Sequence, residues 1–131
     1  MEAIVIDIVT DPFADDEAMR GLWRSAWGND GPQSFQPILR RSLVHVGAFD
    51  GAMLAGFVNV AWDGGIHAFL LDTCVHHAYQ RQGIGVRLVE RATLEARARG
   101  AQWLHVDFEP HLAAFYQQCG FRTTSAGLIA L

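Results

Sequence analysis

The stretch YQRQGIGVRL, Tyr79 to Leu88, joins an apolar run to a helical pattern and carries two glycines one residue apart. The run before it, IHAFLLDTCV (66–75), is rich in large apolar side chains and predicts a strand. After it, apolar residues recur at helical spacing, which predicts a long helix that ends at Gly100. The apolar positions of this helix are Ile84, Leu88, Val89, Ala92 and Ala96. The two glycines therefore lie in a strand-to-helix turn.

A helix that follows such a turn presents unpaired backbone N–H groups and the positive end of its dipole. These groups suit a phosphate or pyrophosphate, and Gly83 and Gly85 would let a ligand approach the backbone because glycine has no Cβ atom. A tight turn without a ligand explains the same glycines equally well. Two phosphate motifs are excluded: the chain has no lysine for a nucleotide-triphosphate loop, and Leu88 replaces the third glycine of the dinucleotide fingerprint.

The rest of the chain predicts helices alternating with strands around one mixed sheet, in a single domain spanning residues 1–131. The predicted strands cover 3–9, 42–49, 53–62, 66–75 and 102–108, with one or two short strands in 122–131. The predicted helices cover 15–27, 35–41, 84–99 and 110–119. On the charged side of the long helix, Glu95 is placed to pair with Arg91 and Arg99, each four residues away.

Composition narrows the classes of function. Half of the 131 residues are hydrophobic, which is enough for one sizeable core. A net charge of -4 and a pI near 5.8 predict no surface for nucleic acid. Because no apolar run reaches membrane-spanning length and the N-terminus is acidic, we predict a cytoplasmic protein with no membrane partner. Cys74 and Cys119 are too few for a disulfide framework and are interpreted as buried free thiols.

Two motifs resemble one known family. Residues 80–85 fit the pattern Q/R-x-x-G-x-G/A, which resembles the coenzyme A pyrophosphate loop of the GNAT superfamily of acetyl-CoA-dependent acyltransferases. Further on, Tyr116 to Phe121 resembles the family's Tyr-x-x-x-Gly-Phe segment. The resemblance extends from about Ala52 to Phe121 and is weak in the N-terminal third. It implies the GNAT fold, an α/β structure whose mixed, mostly antiparallel sheet is flanked by helices and splays apart between its fourth and fifth strands.

The resemblance also implies a binding mode for acetyl-CoA, the co-substrate. The pantetheine arm would lie between the splayed strands and bond backbone groups near Cys74 and Val75. The pyrophosphate would meet the loop, through the backbone amides of Gln82, Gly83, Ile84, Gly85 and Val86 and the side chains of Gln80 and Arg81. No metal is expected, because His76 and His77 are adjacent and would point to opposite faces of an extended segment.

The activity implied is transfer of an acetyl group to a primary amine by direct attack on the thioester. Tyr116 matches the family's general acid, which protonates the leaving thiolate. The general base stays open among Asp72, Asp107 and His105, each of which a structural role explains as well. A non-catalytic acyl-CoA-binding sensor and an interaction protein with a decayed pocket are the alternatives, and the retained Tyr116 favours the enzyme.

The acceptor amine is not identified by the sequence. A small amine, an amino acid, an antibiotic and a protein N-terminus all fit, and Trp23, Trp27 and Phe35 belong either to an acceptor pocket or to the core. Glu109 stands where family members often carry an asparagine that contacts the cofactor, so that contact is in question. Only ten residues follow Phe121, so the acceptor pocket would be open or completed by a second subunit of a homodimer.

Overall fold

The fold was analysed in a computed structural model that describes residues 4–131, in which five strands form one sheet in the order β1-β2-β3-β4-β5. The strands are β1 (Asp7–Thr10), β2 (Val44–Asp50), β3 (Met53–Trp62), β4 (His67–Val75) and β5 (Trp103–His105). The helices are α1 (Asp16–Trp27), α2 (Gln36–Arg41), α3 (Ile84–Ala98) and α4 (Ala113–Gln118), with 3-10 turns at His77–Tyr79 and Pro110–Leu112. Neighbouring strands are antiparallel except β4 and β5, which are parallel. The predicted mixed, mostly antiparallel sheet is confirmed.

Helix ends follow local chemistry. At the start of α1, the Asp15 carboxylate accepts a hydrogen bond from the Ala18 N–H at 2.8 Å, and Gly28 ends the helix with φ 73°. In α3 all five predicted apolar positions are buried. Arg99, at the C-terminal end of this helix, pairs with Glu95 at 3.4 Å, as predicted. The predicted Arg91–Glu95 pair is wrong, because Arg91 instead donates to the Ile8 carbonyl and the Thr10 hydroxyl on β1, both at 3.3 Å.

The sheet has a core on each face. Against one face α3 buries its apolar stripe on alternate residues of the central strands, among them Val46, Val58 and Leu70. Against the other face α1 and α2 cover a second cluster, which includes Phe57 and Cys74. Because α1 and α3 lie on opposite faces, a gap in the sheet is reached by α1 from one side and by α3 from the other.

That gap opens between β4 and β5. Their pairing covers only three positions, from His67 opposite Trp103 to Phe69 opposite His105. Beyond Phe69, β4 continues to Val75 with β3 as its one paired neighbour in the described part of the chain. The predicted splay of the sheet is confirmed. It also explains why β5 is shorter than the predicted 102–108: residues 106–108 have lost the neighbour that would hydrogen-bond them as a strand.

Residues 122–131 form no strand, so the predicted short C-terminal strands are wrong. A strand needs a neighbouring edge to supply hydrogen bonds, and β5 offers an edge of only three residues. The side chains of this tail are exposed, to 84% at Leu128 and 86% at Ile129. The first residue of the predicted first strand, Ala3, lies outside the described residues, and the strand that is observed runs from Asp7 to Thr10.

Candidate active site

An extra residue in β4 creates the opening. The register of β3 with β4 passes from Phe57 opposite Cys74 to Asn59 opposite Leu71, so β4 contains one more residue than β3 over this interval. The additional residue is accommodated at Asp72, whose φ of 59° is a left-handed conformation rare for residues other than glycine. Such a bulge bends a strand and increases its twist. It lies three residues past the end of the β4–β5 pairing, where the two strands separate.

The separated part of β4 presents free backbone groups. From Leu70 to Val75 its edge on the side of β5 has no strand partner among residues 4–131. The Cys74 side chain turns instead into the core beneath α1, and burial raises the pKa of its thiol far above the usual range. Cys74 can therefore contribute only its backbone to a ligand in this opening. The other thiol, Cys119, is half-buried rather than buried as predicted.

The N-terminus of α3 lies next to the end of β4. Gly83 precedes the helix with φ 76°, and no side chain caps the first N–H groups. Gln80 to Gly83 are exposed, and Arg81 also has a left-handed φ of 64°. The Gln80 side chain donates to the Val75 carbonyl at 3.3 Å, which ties the loop to the strand. The loop therefore leaves a row of unpaired, solvent-facing amides of the kind that holds a pyrophosphate.

The two glycines of this loop have different physical reasons. At Gly83 a Cβ atom would meet nothing within 4 Å, so glycine is favoured there by its positive φ. At Gly85 a Cβ atom would lie 3.1 Å from the Phe115 ring, so glycine is favoured by the close packing of α3 on α4. The expectation that both glycines let a ligand approach the backbone stays a prediction, and the missing Cβ of Gly85 also makes room for Phe115.

A cavity lies at the mouth of the opening. Its walls come from β4, from the segment after β5, from α4, from the end of α1 and from the tail. The polar or aromatic residues among them are Trp27, Asp72, Thr73, Asp107, Phe108, Glu109, Tyr116, Thr123 and Thr124. The structure thus brings the predicted general acid together with two of the three candidate bases. The tail, although it forms no strand, walls this cavity with residues of the same chain.

Tyr116 is held firmly in this wall. Its side chain is only 7% exposed, and its ring stacks on Phe108 with centroids 4.8 Å apart and meets Phe115 edge-on at 4.9 Å. Burial raises the pKa of its phenol above the usual value of about 10, and the neighbouring Thr73 side chain offsets part of that effect. The phenol is therefore protonated at neutral pH, and Tyr116 is among the residues that line the cavity.

The three candidate bases occupy different places. Asp72 is open to solvent on one side, but the surrounding protein desolvates its carboxylate and raises its pKa. Asp107 lines the same cavity. His105 does not, because its Nε2 lies 2.8 Å from Nδ1 of His67 and its ring stacks on Phe69 at the paired end of the strands. The geometry leaves Asp72 and Asp107 as the groups next to Tyr116.

The aromatic residues near the first loop divide between two roles. Trp23 and Phe35 are buried in the core beneath α1, with ring centroids 4.9 Å apart. Trp27, at the end of α1, is 44% exposed and lines the cavity. A contact that the sequence did not signal holds α1 in place: the Ser25 hydroxyl lies 2.6 Å from Nδ1 of His77 and accepts the His77 backbone N–H at 3.0 Å. Nothing in the spacing of these two residues predicts it.

His76 and His77 do not point to opposite faces, so that expectation is wrong. The chain turns into a 3-10 helix at His77, and the two rings stack with centroids 4.5 Å apart. Within residues 4–131 no group of three or more His, Cys, Asp or Glu side chains is placed to hold a metal ion. No helix in this described range is long and apolar enough to cross a membrane.

Comparison with known proteins places this geometry in a family. Residues 40–123, well over half of the chain, match the model of the acetyltransferase (GNAT) domain. No match was found among curated proteins. A GNAT family acetyltransferase from Streptococcus pneumoniae TIGR4 is similar in structure, with 26% identity, a TM-score of 0.82, and coverage of 97% of this chain and 98% of the other.

Two further solved structures share the fold at lower identity. An aminoglycoside N-acetyltransferase in complex with CoA is 16% identical, with a TM-score of 0.76 and coverage of 99% of this chain and 96% of the other. Glucosamine-6-phosphate N-acetyltransferase from Arabidopsis thaliana is 15% identical, with a TM-score of 0.77 and coverage of 97% and 98%. Together with the match to the family over residues 40–123, the splayed sheet shows that this chain belongs to the GNAT acetyltransferases.

Proposed function

We propose that this protein is an N-acetyltransferase that moves the acetyl group of acetyl-CoA to a primary amine, carried by a small molecule or a peptide, by direct attack. One observation carries the proposal: a buried, protonated Tyr116 lines a cavity at the point where β4 and β5 separate. The three aromatic neighbours account for the ring of Tyr116, whereas its hydroxyl, which packing does not need, favours a working site over a decayed pocket.

The backbone supplies the groups that would hold acetyl-CoA. We assign the pyrophosphate to the uncapped amides at the start of α3, from Gln82 to Val86, with Gln80 and Arg81 beside them. We assign the pantetheine arm to the free edge of β4 near Cys74 and Val75, where an amide-containing chain can replace the missing strand. The aminoglycoside N-acetyltransferase of similar fold was solved in complex with CoA, which supports CoA as the ligand of the proposed site.

In the chemical step the neutral amine attacks the thioester carbon, forming a C–N bond and a tetrahedral intermediate. Backbone N–H groups of the bulged part of β4 are the donors available for its oxyanion. The C–S bond then breaks, and the thiolate takes the phenolic proton of Tyr116. The proton released by the amine restores the phenol, so one proton passes in total from nitrogen to sulfur.

We assign the general base to Asp72. Its carboxylate lines the cavity that holds Tyr116, and its raised pKa makes it a better proton acceptor than an ordinary aspartate. Since most amines are protonated at neutral pH, this base removes the proton that blocks attack, directly or through water, and then releases it to solvent.

The test is an assay of CoA release from acetyl-CoA over a panel of primary amines, with mass spectrometry of the acetylated product. An enzyme releases CoA in an amine-dependent reaction and the product is heavier by one acetyl group. Binding of acetyl-CoA in calorimetry without turnover of any amine would contradict the proposal and indicate a sensor module. Failure to bind acetyl-CoA would remove both functions.

A further inference from the structure

The charge of the cavity wall is one-sided. Three carboxylates line it, those of Asp72, Asp107 and Glu109, and its walls contain no arginine or histidine. None of the three is in an ion pair within residues 4–131, although the chain carries ten arginines. Within the same residues only Asp11, Asp30 and Glu95 are in ion pairs, so what distinguishes the three carboxylates is that they line one cavity. Their negative charges add up around this cavity and favour a cationic ligand.

Asp107 and Glu109 both line the cavity and are exposed to solvent. Trp27 reaches the same cavity from the end of α1, and its ring is supported by Trp23 with centroids 4.5 Å apart. An indole face next to carboxylates is a recognition surface for an organic cation, because cation–π and ionic attraction act together.

A second observation connects this surface to the reaction. Tyr116 is a polar side chain only 7% exposed, and it lines the same cavity as the two carboxylates and the indole. A cation bound by Asp107, Glu109 and Trp27 would therefore lie beside the reacting centre. A substrate with one positive group there would place a second group, a few bonds away, against the thioester.

We infer that Asp107, Glu109 and Trp27 form a subsite for a cationic group of the acceptor, so that the preferred substrate is a diamine or polyamine. The amine that reacts is neutral, and the second, protonated amine is held by the subsite. This inference rests on the proposed function of the same cavity. The inference adds the chemical class of the acceptor, which carries at least two amines separated by a short apolar chain.

Three four-carbon probes that differ only at the far end test the charge. They are 1,4-diaminobutane, n-butylamine and 4-aminobutyrate, whose far groups are cationic, apolar and anionic. We expect kcat/KM to fall in that order, with the diamine at least tenfold above butylamine. Raising the salt concentration should lower kcat/KM more for the diamine than for butylamine, because the diamine carries one further positive charge for salt to screen.

The variants Asp107→Asn and Glu109→Gln remove the subsite charge without removing the proposed acid or base. Each should raise KM for the diamine about threefold to fivefold, the range of a solvent-accessible ion pair, and the double variant should remove the preference over butylamine. Asp7→Asn is the matched control, since Asp7 is an exposed aspartate on β1, at the opposite edge of the sheet. It changes net charge equally and should leave the preference intact.

The outcomes separate this inference from the proposed function. Acetylation of butylamine and the diamine with equal kcat/KM would overturn the subsite and leave an N-acetyltransferase. If no amine is acetylated, binding of 1,4-diaminobutane to the CoA-loaded protein is measured by calorimetry to test the subsite alone. Binding that is lost in the Asp107→Asn/Glu109→Gln double variant but kept in Asp7→Asn would support the subsite, and absence of binding would overturn it.

Discussion

β4 and β5 are paired at one end and separated at the other. The two ends differ in chemistry, although β4 runs through both without a break. At the closed end, backbone pairing from His67 to Phe69 joins the strands, and side chains add to the closure: His105 stacks on Phe69 with centroids 4.8 Å apart. At the open end the pairing stops and a bulge at Asp72 turns β4 away. One extra residue therefore separates a stretch of strand that holds the sheet together from a stretch that can hold a ligand.

The titratable groups at the two ends differ in whether they have a bonding partner within the protein. His67 and His105 satisfy each other through ring nitrogens 2.8 Å apart. Asp72, Asp107 and Glu109 have no cationic partner within residues 4–131. Groups that already have partners contribute to structure, whereas groups left without partners around a cavity are available to substrate. This comparison assigns the function to the open end. Matched variants at the two ends can test that assignment.

The largest effect is expected at Tyr116. Tyr116→Phe keeps the ring between Phe108 and Phe115 and removes only the hydroxyl. If that hydroxyl protonates the leaving thiolate, kcat should fall by roughly 10²- to 10⁴-fold, while the Kd for acetyl-CoA and the thermal stability change little. Steady-state kinetics, calorimetry and a melting curve measure the three quantities. A kcat defect below tenfold would remove the acid role, since water would then be replacing the phenol.

A pair of matched glycine variants compares the two ends directly. Gly83 and Gly64 both have a positive φ, 76° and 83°, and a Cβ atom at either would meet nothing within 4 Å. Gly83 precedes α3 at the open end, and Gly64 lies in the turn before β4 at the closed end. Gly83→Asp should weaken CoA binding by tenfold or more, at least about 1.4 kcal/mol, because a carboxylate faces the pyrophosphate.

Gly64→Asp introduces the same side chain with the same backbone strain and should bind CoA as the parent protein does. Calorimetry with CoA on both variants gives the comparison. Equal affinities for the two variants, both folded, would show that the amides at the start of α3 do not hold the pyrophosphate.

The regular parts of this fold were predictable from the sequence because they depend on periodicity. The five buried positions of α3 and the bounds of β3, predicted and observed at 53–62, follow from short-range patterns. The predictions fail where the structure of a residue depends on which other part of the chain it can pair with. Residues 122–131 carry strand-like letters but have no adequate edge to pair with, and Arg91 prefers carbonyl and hydroxyl groups on β1 to the nearby Glu95.

The candidate site divides in the same way. The turn with Gly83 and the position of Tyr116 could be found from motifs, and the structure places both at the open end. The bulge at Asp72 could not be found, because no residue type marks a left-handed aspartate within an apolar run. Without the bulge, His105 and Asp107 are equivalent candidates on one predicted strand. The separation of β4 from β5 is what divides them, one at each end.

A smaller and pH-dependent effect is expected at Asp72. At neutral pH Asp72→Asn should lower kcat/KM about tenfold, because a base no longer takes the proton of the ammonium, and a positioned base contributes at least this much. The defect should shrink below about twofold as pH approaches the pKa of the amine, where the neutral form is abundant in solution. In the parent protein the rate should rise with pH through the neutral range. A defect independent of pH would contradict the role of base.

The same variant makes a prediction for stability. Desolvation raises the pKa of Asp72 in the folded state, so stability is highest while the carboxylate is protonated and is lost as pH rises from the unfolded value of about 3.9 through the folded value. Asp72→Asn avoids that loss and should be more stable at pH 7, by less than about 1 kcal/mol because solvent reaches the group. The difference should vanish below about pH 4, as urea unfolding at two pH values would show.

The smallest effect on activity is expected at the closed end, from His105→Phe. The new ring can keep the stacking on Phe69, while His67 loses its ring-nitrogen partner, so the variant removes one hydrogen bond and does not alter the cavity that Tyr116 lines. Unfolding free energy should fall by about 0.5–1.5 kcal/mol, and kcat/KM should stay within twofold. Asp107→Asn, two residues further along the same segment, lies at the open end and should alter the choice of amine. If His105→Phe instead lowered kcat/KM by tenfold at unchanged stability, the imidazole would reach the reacting amine, and the division of β4 and β5 into a structural end and a catalytic end would be wrong.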